Sequence, residues 1–132
     1  MVDTSVWIDY FRPIPARPGL ELRRMIEAAE PFALAGLILI EILQGLKRDV
    51  DRIERFLLQW ELLEPSGFST YREAAAISRS ARSRGISVST IDTLISAIAI
   101  ENSAHLFTTD KDFYGIARVS TLRLYALPES TE

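Results

Sequence analysis

Short apolar runs alternate with longer stretches of helical period along this chain, and that alternation narrows its possible folds more than any other feature. Residues 32–36 (FALAG), 62–65 (LLEP), 105–110 (HLFTTD) and 121–127 (TLRLYAL) read as short strands, the last suited to a sheet edge. The opening Met1–Asp3 reads as another, closed by Asp3. Between these runs lie segments whose apolar residues recur at helical spacing. Strands separated by helices predict a parallel sheet with helices on both faces. In such sheets the functional crevice lies at the carboxyl ends of the strands, near a topological switch point.

The helical segments are readable one by one. Residues 20–30 place Leu22, Met25, Ile26 and Ala29 on one face, and Pro31 stands where that helix must end. LILIEILQGL (37–46) reads as a helix closed by Gly45. Residues 50–61 carry Val50, Ile53, Phe56, Leu57 and Trp60 on one stripe, and STYREAAAISRSARSRG (69–85) is alanine-rich and helical up to Gly85. ISVSTIDTLISAIAIENSA (86–104) starts extended and turns helical near Ser89 or Thr90, either of which suits an N-cap. RPIPARPG (12–19) reads as a loop or an ordered extended segment. No repeat or linker divides the chain, so residues 1–132 read as one domain.

A chain of 132 residues with 48% apolar and 25% charged residues has the length and composition of one globular domain. It has no cysteine, which excludes disulfides and thiolate metal sites. The start lacks the basic and apolar segments of a signal peptide. The longest apolar run, Phe32 to Ile40, is too short to span a bilayer. A soluble, cytoplasmic protein without a membrane partner is the expectation. The net charge of −3 does not suggest a nucleic-acid binder. Yet 13 of the 15 basic residues are arginine, the side chain suited to bidentate contact with phosphate and carboxylate. Arg79, Arg82 and Arg84 cluster within SRSARSRG, where a solvated helix face and a set of phosphate contacts are both open readings.

Four acids stand out against this frame. Asp3 closes the first strand, Glu41 lies within the helix after the second, Asp92 falls in the first turn of its helix, and Asp110 follows HLFTT. Each has an ordinary explanation. Asp3 would cap the next helix, Asp92 would favour a helix start through the dipole, and Asp110 would serve a turn. Glu41, flanked by Leu39, Ile40, Ile42 and Leu43, needs a partner such as Arg12 or Arg48. Taken together, the four can meet at one sheet edge, where carboxylates repel and raise one another's pKa unless a cation is present. With no cysteine and one histidine, an all-oxygen donor set points to Mg²⁺ or Mn²⁺. Discounting four metal-bound acids would leave the chain with a positive net charge, better suited to a polyanion.

The same residues carry a resemblance. VDTSVWID (2–9), LILIEILQGL (37–46) and STIDTLISAIAIENSAHLFTTDKDF (89–113) resemble, in order and spacing, the motifs of PIN-domain ribonucleases, in particular VapC-type toxins of toxin–antitoxin pairs. The match runs nearly end to end, and the last block is its most specific part. The resemblance implies a three-layer α/β fold around a short parallel sheet of about five strands flanked by helices. It implies an acidic pocket for one or two divalent ions, and divalent-metal-dependent endonucleolytic cleavage of RNA. Asp3, Glu41, Asp92 and Asp110 match the metal-site acids. Ser5 and Thr108 match polar positions beside the pocket, and Asp112 matches a further acid or a cap of the helix holding Phe113. A homodimer and a cognate VapB-type antitoxin, whose tail occupies the acidic groove, are also implied. The first strand departs from the family pattern, because Met1 and Val2 alone precede Asp3 here.

Two other readings use the same sequence. A non-catalytic PIN module that binds RNA or protein would have no need of the four acids. A phospho-accepting receiver would want paired acids after its first strand, where VDTS offers one. His105, the single histidine, opens a strand and reads as structural. Trp7, Phe11 and Trp60 lie in apolar patterns that favour packing over base stacking.

Overall fold

A computed structural model gives the fold of residues 1–129. Seven helices occur among the described residues: α1 Thr4–Tyr10, α2 Arg17–Glu27, α3 Gly36–Gln44, α4 Val50–Leu57, α5 Phe68–Ser83, α6 Thr90–Glu101 and α7 Asp112–Val119. Strand β1 (Leu34–Ala35) pairs in parallel with β2 (Leu62–Leu63), with Leu34 opposite Leu62. Isolated parallel bridges join Val2 to Phe107 and Leu106 to Leu124. Backbone bonds from Val2 to Ala33 (3.4 Å), Asp3 to Phe107 (2.8 Å) and Tyr125 to Leu106 (2.9 Å) hold these segments side by side. None of the described helices is long and apolar enough to cross a membrane.

The sheet is slighter than the sequence suggests. Among the described residues it is one two-residue pair with isolated bridges, where about five strands were expected. Helices take over the apolar runs almost at once. Asp3 already has N-cap geometry for α1, and Gly36, the last residue of FALAG, opens α3. Three helix ends also differ from expectation. Helix α2 takes Pro18 and Gly19 from the segment read as a loop, since proline in a first turn sacrifices no intrahelical bond. It stops at Glu27, ahead of Pro31, and Ala29 turns the chain at a φ of 53°. Helix α4 ends at Leu57 instead of residue 61. Gly85 supplies a left-handed turn after α5 (φ 70°), whereas Gly45 caps α3 at φ −86° and needs no glycine freedom.

The core gathers Val2, Leu22, Leu34, Ile38, Ile95, Ile98, Leu106, Phe113 and Ile116, all essentially without solvent contact. Trp7 is fully buried among Tyr10, Phe11, Phe32, Phe56 and Trp60, with ring centroids 5.3–6.5 Å away. Trp7, Phe11 and Trp60 are therefore packing residues, as their sequence pattern implied.

Helix α2 is docked by an acid that sequence reasoning did not single out. Asp9 is buried on α1 and accepts hydrogen bonds from the backbone N–H of Ala16 (3.1 Å) and Gly19 (2.7 Å). It thereby satisfies donors that a helix start leaves open. The two helices approach so closely that a Cβ at Gly19 would lie 2.7 Å from Asp9 Oδ2 and 2.8 Å from the Tyr10 nitrogen. Gly19→Ala should therefore cost about 1–3 kcal/mol. At Gly36 the nearest atom is the Glu64 carboxylate at 2.8 Å, the end of a flexible side chain, so Gly36→Ala should cost far less. Urea unfolding of the two variants checks the contrast; equal midpoints would contradict it.

Candidate active site

The parallel segments deliver their acids to one edge. Asp3 follows the Val2 bridge, and Asp110 lies three residues beyond the bridged Phe107. Glu41 lies in the second turn of α3, and Asp92 in the first turn of α6. Carboxylate oxygens of Asp92, Asp110 and Asp112 lie within 4.8 Å of one another. Glu41 feels the charges of Asp3 and Asp110, and Asp92 feels those of Asp110, Asp3 and Asp112. The four expected acids thus converge, with Asp112 as a fifth.

Asp3 is the most tightly held. It is buried, and its Oδ2 accepts from Thr108 Oγ1 (2.8 Å), Ser5 Oγ (2.9 Å) and the Ser5 N–H (3.5 Å). Each hydroxyl has one proton and spends it on Asp3, so the 3.3 Å contact between Ser5 Oγ and Thr108 Oγ1 carries no shared proton. Their lone pairs accept from the backbone of the next two residues: Thr109 N–H to Ser5 Oγ (3.0 Å) and Asp110 N–H to Thr108 Oγ1 (3.0 Å). One network therefore fixes Asp3 and the backbone that presents Asp110. Asp110 in turn accepts from the Asp112 N–H through Oδ1 (3.0 Å) at the start of α7. Lys111 is the N-cap residue of α7, and Asp112 is the helix's first residue and is exposed, with Phe113 buried beneath it.

Glu41 has no arginine partner among the described residues. Arg12 faces Asp9 instead (3.5 Å), and Arg48 lines a groove elsewhere. Its hydrogen-bond donor is the Thr4 hydroxyl (3.1 Å), a residue sequence reasoning missed. The available signal was a hydroxyl immediately after Asp3. Burial raises the Glu41 pKa, Asp3 and Asp110 raise it further, and the Thr4 bond opposes them. Burial likewise pushes Asp92 up to about 6, reinforced by Asp110, Asp3 and Asp112 and opposed by Ser89. Ser89 is the N-cap of α6 and accepts from the Asp92 N–H (3.1 Å).

Three expected residues lie apart from this cluster. Arg79 and Arg82 stand on α5 and line a groove against α6. Arg84 follows the end of α5, with Nη1 3.5 Å from the Arg118 carbonyl. A groove of about 690 Å³ also lies elsewhere, between the end of α1 and α4.

A set of carboxylates with no ion-pair partner among the described residues, two of them (Glu41 and Asp92) with raised proton affinity, fits a hard divalent cation bound through oxygen. The elements define an acidic α/β domain with its donors gathered at the carboxyl edge of parallel segments. The chain belongs to the PIN-domain family, whose model matches residues 1–119. It is 36% identical over 127 residues to Ribonuclease VapC11 of Mycobacterium tuberculosis and to VapC ribonuclease Mb1587 of Mycobacterium bovis. These matches cover 93% of this chain and 95% of each relative. FitAcB from Neisseria gonorrhoeae has a similar fold (TM-score 0.74, 20% identity, 95% of each chain). So does VapBC2 from Rickettsia felis bound to a DNA fragment from their promoter (TM-score 0.75, 20% identity, 95% of this chain and 96% of that one).

The raised pKa of Asp92 has a sign that can be checked. Between its usual value of 3.8 and about 6, the folded chain holds a proton that the unfolded chain has lost. Stability from this group is therefore present at low pH and lost as pH rises through that window. In EDTA, Asp92→Asn should flatten the fall and melt above wild type at neutral pH. Thermal melts from acidic to neutral pH test this, and a variant that melts lower at neutral pH contradicts it.

Proposed function

We propose that this protein is a divalent-metal-dependent endoribonuclease, the toxin of a toxin–antitoxin pair, hydrolysing RNA at Asp3, Glu41, Asp92 and Asp110. The observation that carries the reading is the convergence of these acids: burial raises the proton affinity of Asp92 and Glu41, and the neighbouring carboxylates raise it further. Relatives named as VapC ribonucleases at 36% identity give the substrate class. Held by these acids, Mg²⁺ or Mn²⁺ would supply the positive charge that phosphodiester hydrolysis by water calls for. Asp3, oriented by Ser5 and Thr108, and Asp110 would hold the ion directly. Glu41, oriented by Thr4, and Asp92 would complete the donor set or orient the attacking water. Asp112 adds a peripheral carboxylate.

No histidine enters this scheme. His105 stands five residues before Asp110, and its carbonyl accepts from the Met1 ammonium (2.8 Å). His105→Gln should leave turnover within about twofold of wild type, a surface-type change by the usual scale of effects. A large loss would overturn a metal-only mechanism.

A toxin nuclease needs restraint, and VapBC2 from Rickettsia felis is among the solved proteins of this fold. The cognate partner is a VapB-type antitoxin that covers the acids. The homodimer uses exposed aliphatic surface such as Ile40, Leu58 and Leu62, beside a groove of about 400 Å³ lined by Leu39, Leu43, Leu57 and Trp60.

RNA cleavage in Mg²⁺, Mn²⁺ or EDTA, with Asp92→Asn and Glu41→Gln alongside, tests the reading. Cleavage should require the ion and fall roughly 10–100-fold or more in each variant. Equal cleavage by all three proteins overturns it. A chain that binds no divalent ion and cuts no RNA is the non-catalytic scaffold instead.

A further inference from the structure

The groove between the end of α1 and α4 is lined by none of the clustered acids. At about 690 Å³ it has the size of a site for a small molecule. Its place follows from the chain order. Tyr10 ends α1 and Phe11 caps it, Gly45 closes α3, and residues 47–49 join α3 to α4. Gly45 lies four residues past Glu41, about 6 Å further along the axis of α3, so the groove neighbours the carboxylate site without sharing its acids.

Two chemistries line it. The first is aromatic. Tyr10, Phe11 and Phe56 are half-buried, and each packs on the buried Trp7, with ring centroids 5.8, 5.9 and 6.5 Å away. Rings held on a fixed indole make a rigid apolar surface, the kind on which a heterocyclic base stacks. The second is cationic, from Lys47, Arg48 and Arg52. Asp49, the one acid on the wall, is engaged by Arg52 at 3.3 Å. No carboxylate pairs with Lys47 or Arg48 among the described residues. Three cations against one acid leave a net of two positive charges here, in a chain of net charge −3. That local reversal of sign calls for an anion of more than one charge, and the arginine fork suits phosphate.

We infer that this groove binds a free nucleoside polyphosphate, with the base on the Phe11 and Phe56 rings and the phosphates on Lys47 and Arg48. Simpler ligands leave part of the lining unused. An inorganic anion leaves the rings bare, and an apolar molecule leaves two cations without a partner. Binding here does not depend on the ribonuclease reading, because it needs neither the carboxylates nor a divalent ion.

Calorimetric titration with ATP and GTP tests this at low salt in EDTA, where the carboxylate cluster repels a polyphosphate. At least one nucleotide should bind about tenfold or more tighter than tripolyphosphate or its own nucleoside, since each fragment meets half of the lining. Lys47→Ala with Arg48→Ala should weaken binding at least about tenfold, the loss of charge-assisted bonds. Phe11→Leu should cost at least about fivefold, the loss of a stacking surface. Arg118→Ala on α7 should match wild type. Lys47 and Arg48 are exposed, so their double variant keeps the core intact. The ratio of nucleotide to tripolyphosphate affinity reports base recognition even where Phe11→Leu does not fold. Absence of binding by both nucleotides at about 1 mM overturns the assignment. So does unchanged affinity in the double variant. Equal affinity for tripolyphosphate marks a bare anion site, and equal affinity for a glutamate hexamer marks a dock for acidic peptide; either overturns it. Sedimentation is run in parallel, and loss of a dimer in the double variant assigns the groove to self-association and likewise overturns it.

Discussion

Carboxylates brought together where solvent is thin repel one another, and much of this molecule reads as the structure needed to hold them there. Asp3, Glu41, Asp92, Asp110 and Asp112 come from four elements and their flanking turns, yet their charges are felt across one small volume. Left to itself, such a cluster takes up protons or spreads. The chain prevents the second outcome with short-range clamps. Ser5 and Thr108 hold Asp3, Thr4 holds Glu41, Ser89 caps the turn that carries Asp92, and the Thr108 hydroxyl fixes the backbone of Asp110. Hydroxyls suit this work because they donate to an anion without neutralising it, so the negative charge stays available to a cation.

The slight sheet fits the same purpose. One two-residue pair and isolated bridges suffice to set five chain segments in parallel register, because the burial of Trp7, Leu34, Ile38, Ile98 and Leu106 packs helices firmly onto them. Early helix starts then do chemical duty. Helix α1 begins directly after Asp3, and α6 presents Asp92 in its first turn. The contact between α1 and α2 through Asp9 and Gly19 anchors the scaffold on which Asp3 sits.

Much of this was legible in the residue order. Period and punctuation placed α2 to α6 but not α1, and the acids beyond three of the apolar runs, Asp3, Glu41 and Asp110, marked the active edge; Glu41, isolated among aliphatic residues, pointed there most plainly. Strand length was not legible, since FALAG and TLRLYAL have strand composition but tertiary packing decides where helix begins. Asp9 and Thr4 escaped notice for a different reason. Asp9 meets backbone donors at Ala16 and Gly19, and Thr4 meets Glu41 well down the chain, contacts with no periodic signature. The arginines were visible as a cluster, but only the helix axis separates Arg79 and Arg82, which share a groove, from Arg84, which does not.

The most direct measurement is calorimetric titration of the EDTA-stripped, dialysed protein with Mn²⁺ near pH 6, repeated in buffers of different ionisation heat, with Asp92→Asn beside wild type. If the clustered acids exist to hold a cation, wild type binds the ion and releases a proton as it does so, because Asp92 is half-protonated near that pH. The variant should then bind more weakly and release less. Wild type that binds no Mn²⁺, or a variant that binds it equally well with the same proton release, would contradict the account.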